Sequence, residues 1–149
     1  MPDTSPYDDL IMEHIKNARN FGMPEGPMQI ATGTNPLCGD EMTLYVALAG
    51  KHIRQLAFQC TCCGISMASA SIMTELLGGT DIEKARPQLQ AFVATLLGRD
   101  GTPPAGTTRE QQAILDTVRR FPSRARCAAL AWATLQGALD QRSETILQP

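Results

Sequence analysis

The stretch that decides the fold begins at Met42-Thr43-Leu44-Tyr45-Val46-Ala47-Leu48, turns at Ala49-Gly50-Lys51-His52, and runs through Leu56 and Phe58 into Cys60-Thr61-Cys62-Cys63-Gly64-Ile65-Ser66. Met42, Leu44, Val46 and Leu48 alternate with Thr43, Tyr45 and Ala47, the period-two pattern of a half-buried strand. The strand after the turn carries Leu56 and Phe58 on one face. Past Cys63 the period lengthens: Ile65, Ala68, Ile72, Met73 and Leu76 share one stripe of a helix over Gly64–Leu77, closed by Gly78-Gly79. Upstream, a third extended segment covers about residues 28–33. Asn20, Gly22, Pro24 and Gly26-Pro27 separate it from an N-terminal helix bearing Tyr7, Leu10, Ile11, His14 and Ile15. Ser5 is the expected cap of that helix, Pro6 its first residue, and Asp8 the partner in a capping box.

The rest of the chain reads as helical. Thr80-Asp81-Ile82-Glu83 forms another capping box, and Pro87 is expected to divide the next segment into a short turn and a helix carrying Leu89, Phe92, Val93 and Leu96. Residues 100–106 are loop-like. Thr107 with Glu110 starts a helix through Ile114, Leu115 and Val118, and Pro122-Ser123 precedes a last helix carrying Cys127, Leu130, Ala131, Thr134, Leu135 and Ala138. Thr134, the polar member of that stripe, can bond back to the preceding turn. Strands come first and helices second, which is an α+β pattern: a small three-stranded antiparallel sheet covered by helices, with an N-terminal helix. Its length of 149 residues predicts a single domain, 1–149.

The net charge is −2, from 13 basic and 15 acidic residues. That balance gives no electrostatic basis for binding nucleic acid or an anionic membrane. No apolar run approaches the ~20 residues needed to span a bilayer, and the acidic start does not resemble a secretory signal, so a cytoplasmic location is expected.

Chemistry concentrates at the five cysteines, an odd number that argues against a disulfide framework. Cys38 and Asp40 flank Gly39 in a turn before a strand, so a thiolate and a carboxylate can converge on one ion. Cys63 stands at a strand-to-helix junction, where unpaired N–H groups and the positive helix end favour a thiolate. Cys127 lies on the inward stripe of the last helix. Three remote segments can thus supply one Cys3Asp site, a donor set compatible with zinc and, through its thiolates, with iron–sulfur clusters. Reactive cysteines without metal, and plainly buried ones, are the two other readings of the spacing.

Longer fragments carry a resemblance. Ile11-Met12-Glu13-His14, Asn17-Ala18-Arg19-Asn20 with Gly22, Asn35-Pro36-Leu37-Cys38-Gly39-Asp40, Cys63-Gly64-Ile65-Ser66 with Ala68-Ser69-Ala70-Ser71, and Arg126-Cys127-Ala128-Ala129-Leu130-Ala131-Trp132 occur in that order. Together they resemble the IscU/NifU N-terminal family of iron–sulfur cluster assembly proteins, in particular its SufU branch. The resemblance implies that Cys38, Cys63 and Cys127 are ligands and that Asp40 supports metal ligation. It also implies that Cys127 accepts sulfur. Scaffold members carry histidine where this chain has Arg126. Residues 101–123 resemble the SufU insertion, and Arg124 falls on that branch's arginine, a candidate for metal-site or partner contact. Cys60 and Cys62 replace expected glycines, placing two auxiliary thiols beside Cys63.

The function so implied is that of a zinc-dependent sulfur acceptor, a sulfurtransferase receiving persulfide sulfur from a pyridoxal-phosphate-dependent cysteine desulfurase and serving downstream iron–sulfur assembly or recipient proteins. The alternatives are a non-enzymatic scaffold holding a 2Fe–2S cluster or iron, and a metal-free interaction protein. His14 is expected to be packed, His52 exposed in a turn, and Trp132 a packing anchor. Ser66, Ser69 and Ser71 lack the companions of a hydrolase triad. Arg119, Arg120, Arg124 and Arg126 form a local basic patch able to face an acidic partner.

Overall fold

Antiparallel pairing of two ten-residue strands, β2 (Asp40–Ala49) and β3 (His52–Thr61), forms the centre of the sheet, with Leu44 opposite Phe58 and Val46 opposite Leu56. Gly50 makes the turn between them at φ +61°, a left-handed conformation that glycine takes without strain. β1 (Gln29–Asn35) pairs antiparallel on the other side of β2, from Gln29 opposite Val46 to Asn35 opposite Asp40. The structure, a computed structural model, describes residues 8–98 and 106–147.

The expected three-stranded meander is present, and a short fourth strand extends it. β4 (Glu144–Ile146) runs parallel to β1, giving the order β3-β2-β1-β4. The expected alternation fails at three residues: Tyr45 and Ala47, assigned to the other face, are buried too, and Leu48 is turned out. A register shift between Ala47 and Leu48 turns Leu48 outward to 40% exposure, as β-bulges do.

Helices cover the sheet's apolar face. α1 spans Asp9–Lys16, α2 Gly64–Leu77, α3 Ile82–Leu96, α4 Arg109–Arg120 and α5 Ala125–Leu139, with a 3-10 turn at Pro122–Arg124. α2 and α5 form the centre of this layer. Ser69 Oγ donates to the Ala128 carbonyl at 2.6 Å and accepts from Trp132 Nε1 at 2.7 Å. Trp132 is fully buried against Phe92, so it is the packing anchor expected of it. Thr134 Oγ1 donates back to the Leu130 carbonyl at 2.7 Å.

The helices depart from expectation in four places. Ser5, Pro6 and Tyr7 lie outside the described residues; Asp8 itself caps α1, accepting from the Leu10 and Ile11 amides. The α4 capping box is Thr108 with Gln111, one residue later than the Thr107–Glu110 pair. α3 runs unbroken through Pro87, which lies with residue 83 on the helix's exposed side; the ring costs the helix one amide donor without ending it. Asp81 precedes α3 without a side-chain capping bond. Its carboxylate instead meets His52 Nδ1 at 3.1 Å, so His52 opens β3 with a partner rather than standing free in a turn.

Candidate metal centre

The site forms where five elements end or begin at one end of the sheet. β1 ends at Asn35, and the chain turns tightly through Gly39 at φ +75° before Asp40 opens β2. The Gly39 amide donates to the Asn35 carbonyl at 2.9 Å. β3 ends at Thr61, two residues before Cys63, which occupies the N-cap of α2. Cys127 lies in the first turn of α5.

Cys38 Sγ and Cys127 Sγ approach to 3.3 Å, although Cys38 is exposed and Cys127 is 2% exposed. One donor atom each from Cys38, Asp40 and Cys127 lie within 4.8 Å of one another. Among the described residues, Cys63 is not part of that convergence. Its sulfur faces Asp40 Oδ2 at 3.7 Å. The structure therefore gathers Cys38, Asp40 and Cys127 directly, with Cys63 beside them. Tetrahedral zinc with thiolate bonds of ~2.3 Å has sulfur–sulfur edges of roughly 3.8 Å, so the Cys38, Asp40 and Cys127 donors are compatible in type and spacing with a metal ion.

Two residues position these donors. Ser66 Oγ donates to Asp40 Oδ2 at 2.7 Å, while the Cys63 amide donates to Asp40 Oδ1 at 3.2 Å. Ser66 Oγ also lies 3.0 Å from the Cys127 carbonyl, linking α2 to both partner segments. Asn35, 1% exposed, directs its Nδ2 to Cys38 Sγ at 2.9 Å and towards Cys127 Sγ at 4.0 Å. Sequence reasoning did not single out either role. The usable signal for Ser66 is its i+3 spacing from Cys63, which puts both on one helical face.

The electrostatics follow from these contacts. Burial opposes ionisation of Asp40, but hydrogen bonds from Ser66, Cys38, Cys127 and the Cys63 amide bring its carboxyl below the usual range. The Cys63 thiol is lowered to about 6, first by a hydrogen bond from Cys127, against burial and with help from Ser66. Cys127 is pushed up, chiefly because its proton is held by Cys63 and because it is buried. A cation bound among these sulfurs would favour thiolate at each of them.

The auxiliary residues separate from this centre. Cys60 and Cys62 are joined to each other as a disulfide, so in this state neither offers a thiolate ligand. Neither has positive φ, so the glycine conformations that cysteine resists are not needed there. Arg124 sits half-buried in the 3-10 turn three residues before Cys127. In the basic patch, Arg119 pairs with Asp116 at 3.5 Å and Arg120 lies over Phe121. His14 is buried with Nδ1 2.6 Å from Ser71 Oγ, a packed histidine as expected. Among the described residues, no helix is long and apolar enough to cross a membrane.

Fold and site together define a small α+β protein with a thiol-and-carboxylate centre at the end of its sheet. Residues 6–142 match the NifU-like N terminal domain, and the chain belongs to that family. It is 36% identical over 132 residues to the zinc-dependent sulfurtransferase SufU of Bacillus subtilis, covering 87% of this chain and 86% of that protein. It is 31% identical over 135 residues to the iron-sulfur cluster assembly scaffold protein IscU of Streptococcus pyogenes, covering 91% and 83%. A crystal structure from Fervidobacterium islandicum, named as an iron-sulfur cluster assembly scaffold protein for the SUF system, superposes with a TM-score of 0.78 at 29% identity, covering 88% of this chain and 94% of that one.

Proposed function

We propose that this chain is a SufU-branch sulfur acceptor for iron–sulfur cluster assembly, taking persulfide sulfur from a pyridoxal-phosphate-dependent cysteine desulfurase. The observation that carries the reading is the pairing of an exposed thiol, Cys38, with a buried one, Cys127, beside an anchored carboxylate. Cys38, Asp40, Cys63 and Cys127 would hold zinc, which when bound keeps the thiols deprotonated and guards them from oxidation.

The chain's own groups suit the transfer. A thiolate attacks the outer sulfur of the partner's persulfide, the persulfide S–S bond breaks, and the partner's cysteine leaves as thiolate. No net oxidation occurs. The family resemblance puts the acceptor at Cys127; exposure favours Cys38 as the thiol a partner meets first, with Asn35 Nδ2 steadying its charge. The likeness to the Bacillus sulfurtransferase supports this reading, and Arg126 in the position of a scaffold histidine agrees with it.

Anaerobic purification with zinc, iron and acid-labile sulfide analysis, followed by transfer of labelled sulfur from a cysteine desulfurase, tests the proposal. About one zinc per chain with sulfur uptake supports it. Iron and sulfide in near-equal amounts, with no uptake, would move the chain to the scaffold role borne by the name of its Streptococcus relative.

A further inference from the structure

We propose that Cys60 and Cys62 form a dithiol–disulfide couple that reduces sulfur accepted at the neighbouring site and releases it as sulfide. The inference rests on the sulfur-accepting reading above and adds a reductive step to it.

Placement is the first argument. Cys60 stands opposite Met42 and Thr61 opposite Glu41, so the pair lies at the end of the sheet where Asp40 begins β2. The next residue, Cys63, donates its amide to Asp40 Oδ1. Cys60 and Cys62 are joined, with Cα atoms 5.5 Å apart. The bond has little to do as a staple. A loop of so few residues removes little chain entropy, and β3 is already held by its ladder to β2.

Access is the second. Both residues are half-buried, and Cys60 borders a surface hollow of about 500 Å³ together with Glu41, Met42, Gln59 and Thr61. A disulfide reachable from solvent can be cycled by a soluble dithiol reductant.

The chemistry then balances. Persulfide sulfur needs two electrons to become sulfide, and a dithiol supplies two. The Cys60 thiolate attacks the outer sulfur of a site persulfide, taking that sulfur and freeing the site cysteine as thiolate. The Cys62 thiolate then attacks the Cys60 sulfur, forming the Cys60–Cys62 bond and expelling hydrosulfide. A dithiol reductant from solution restores both thiols by exchange, becoming a disulfide itself.

The test uses the full chain, reduced and then freed of reductant, with a cysteine desulfurase and one equivalent of cysteine. Sulfide is assayed, and the state of each cysteine is read by peptide mass. The expected result is about one sulfide per chain with a newly formed Cys60–Cys62 bond. C62S is expected to retain the sulfur as persulfide and release at least tenfold less sulfide. Wild-type protein carrying the Cys60–Cys62 bond from the start needs no substitution and should likewise take sulfur without releasing it. Equal sulfide from the pre-oxidised protein, or persulfide retained by the reduced protein with both thiols free, overturns the inference alone. No uptake by any form overturns the sulfur-acceptor reading along with it.

Discussion

The Ser66 hydroxyl donates to Asp40 Oδ2 across 2.7 Å, joining the first turn of α2 to the first residue of β2. Asp40 is 4% exposed, so water has little access to replace that donor. Ser66→Ala should leave the carboxylate freer to rotate and reduce metal affinity by about 10–100-fold, the usual cost of losing a group that orients a ligand. Competition with a chromophoric chelator measures this, and an unchanged affinity would remove Ser66 from the site.

Cys38 and Cys127 should separate by readout. Cys38→Ser is expected to abolish uptake of labelled sulfur from a desulfurase. Cys127→Ser should chiefly weaken metal retention, because it alters a buried sulfur behind the surface. If C127S alone blocks uptake while C38S accepts normally, the acceptor is Cys127, as the family resemblance implies.

His14 makes stability depend on pH. Burial first, and the Arg19 charge second, lower its pKa against the opposing pull of Glu75, Glu110 and Glu13. The unfolded chain therefore binds more protons on acidification. Stability from this group is complete above the ordinary histidine pKa of ~6.5 and falls as pH drops through the lower folded value. Urea midpoints should decline between pH 7.5 and 5, and His14→Gln should flatten that decline while costing about 1–3 kcal/mol through the lost Ser71 contact. An equal slope in H14Q would assign the dependence to other groups.

Gly33 is a close-approach position. A Cβ there would sit 2.0 Å from Thr134 Oγ1 and 3.2 Å from Leu130 Cδ1, both on α5. Gly33→Ala should destabilise the fold by about 1–3 kcal/mol. Adding Thr134→Ala should recover part of the loss in a urea titration. A neutral G33A would mean that α5 can move off β1 at little cost.

The parts of the fold readable in the sequence are those written as local period. The α2 stripe predicts Gly64–Leu77, the span observed. Leu48 misleads, because its direction depends on a bulge in pairing with β3 rather than on its own strand. Glu144-Thr145-Ile146 is too short to show alternation, and it becomes a strand only because β1 lies beside it. The site divides in the same way. Cys38, Asp40 and Cys127 are legible as residue types in three segments, and they converge. The offset of Cys63, the hydroxyl bridge from Ser66 and the amide donated by Asn35 depend on side-chain directions set by tertiary contact.

The parallel seam between β1 and β4 has a consequence for how the chain is made. Thr32 N–H bonds to the Ser143 carbonyl, and Leu147 N–H to that of Thr34. The first strand therefore leaves the ribosome long before its edge can be covered. Cys38 likewise precedes its sulfur neighbour Cys127 by 89 positions. At ordinary synthesis rates of about 5–20 residues per second, that interval lasts on the order of 10 s. During it Cys38 and Cys63 have neither Cys127 nor the α5 cover. Newborn chains thus pass through a window in which stray oxidants or metals can reach these thiols before the protein's own architecture claims them.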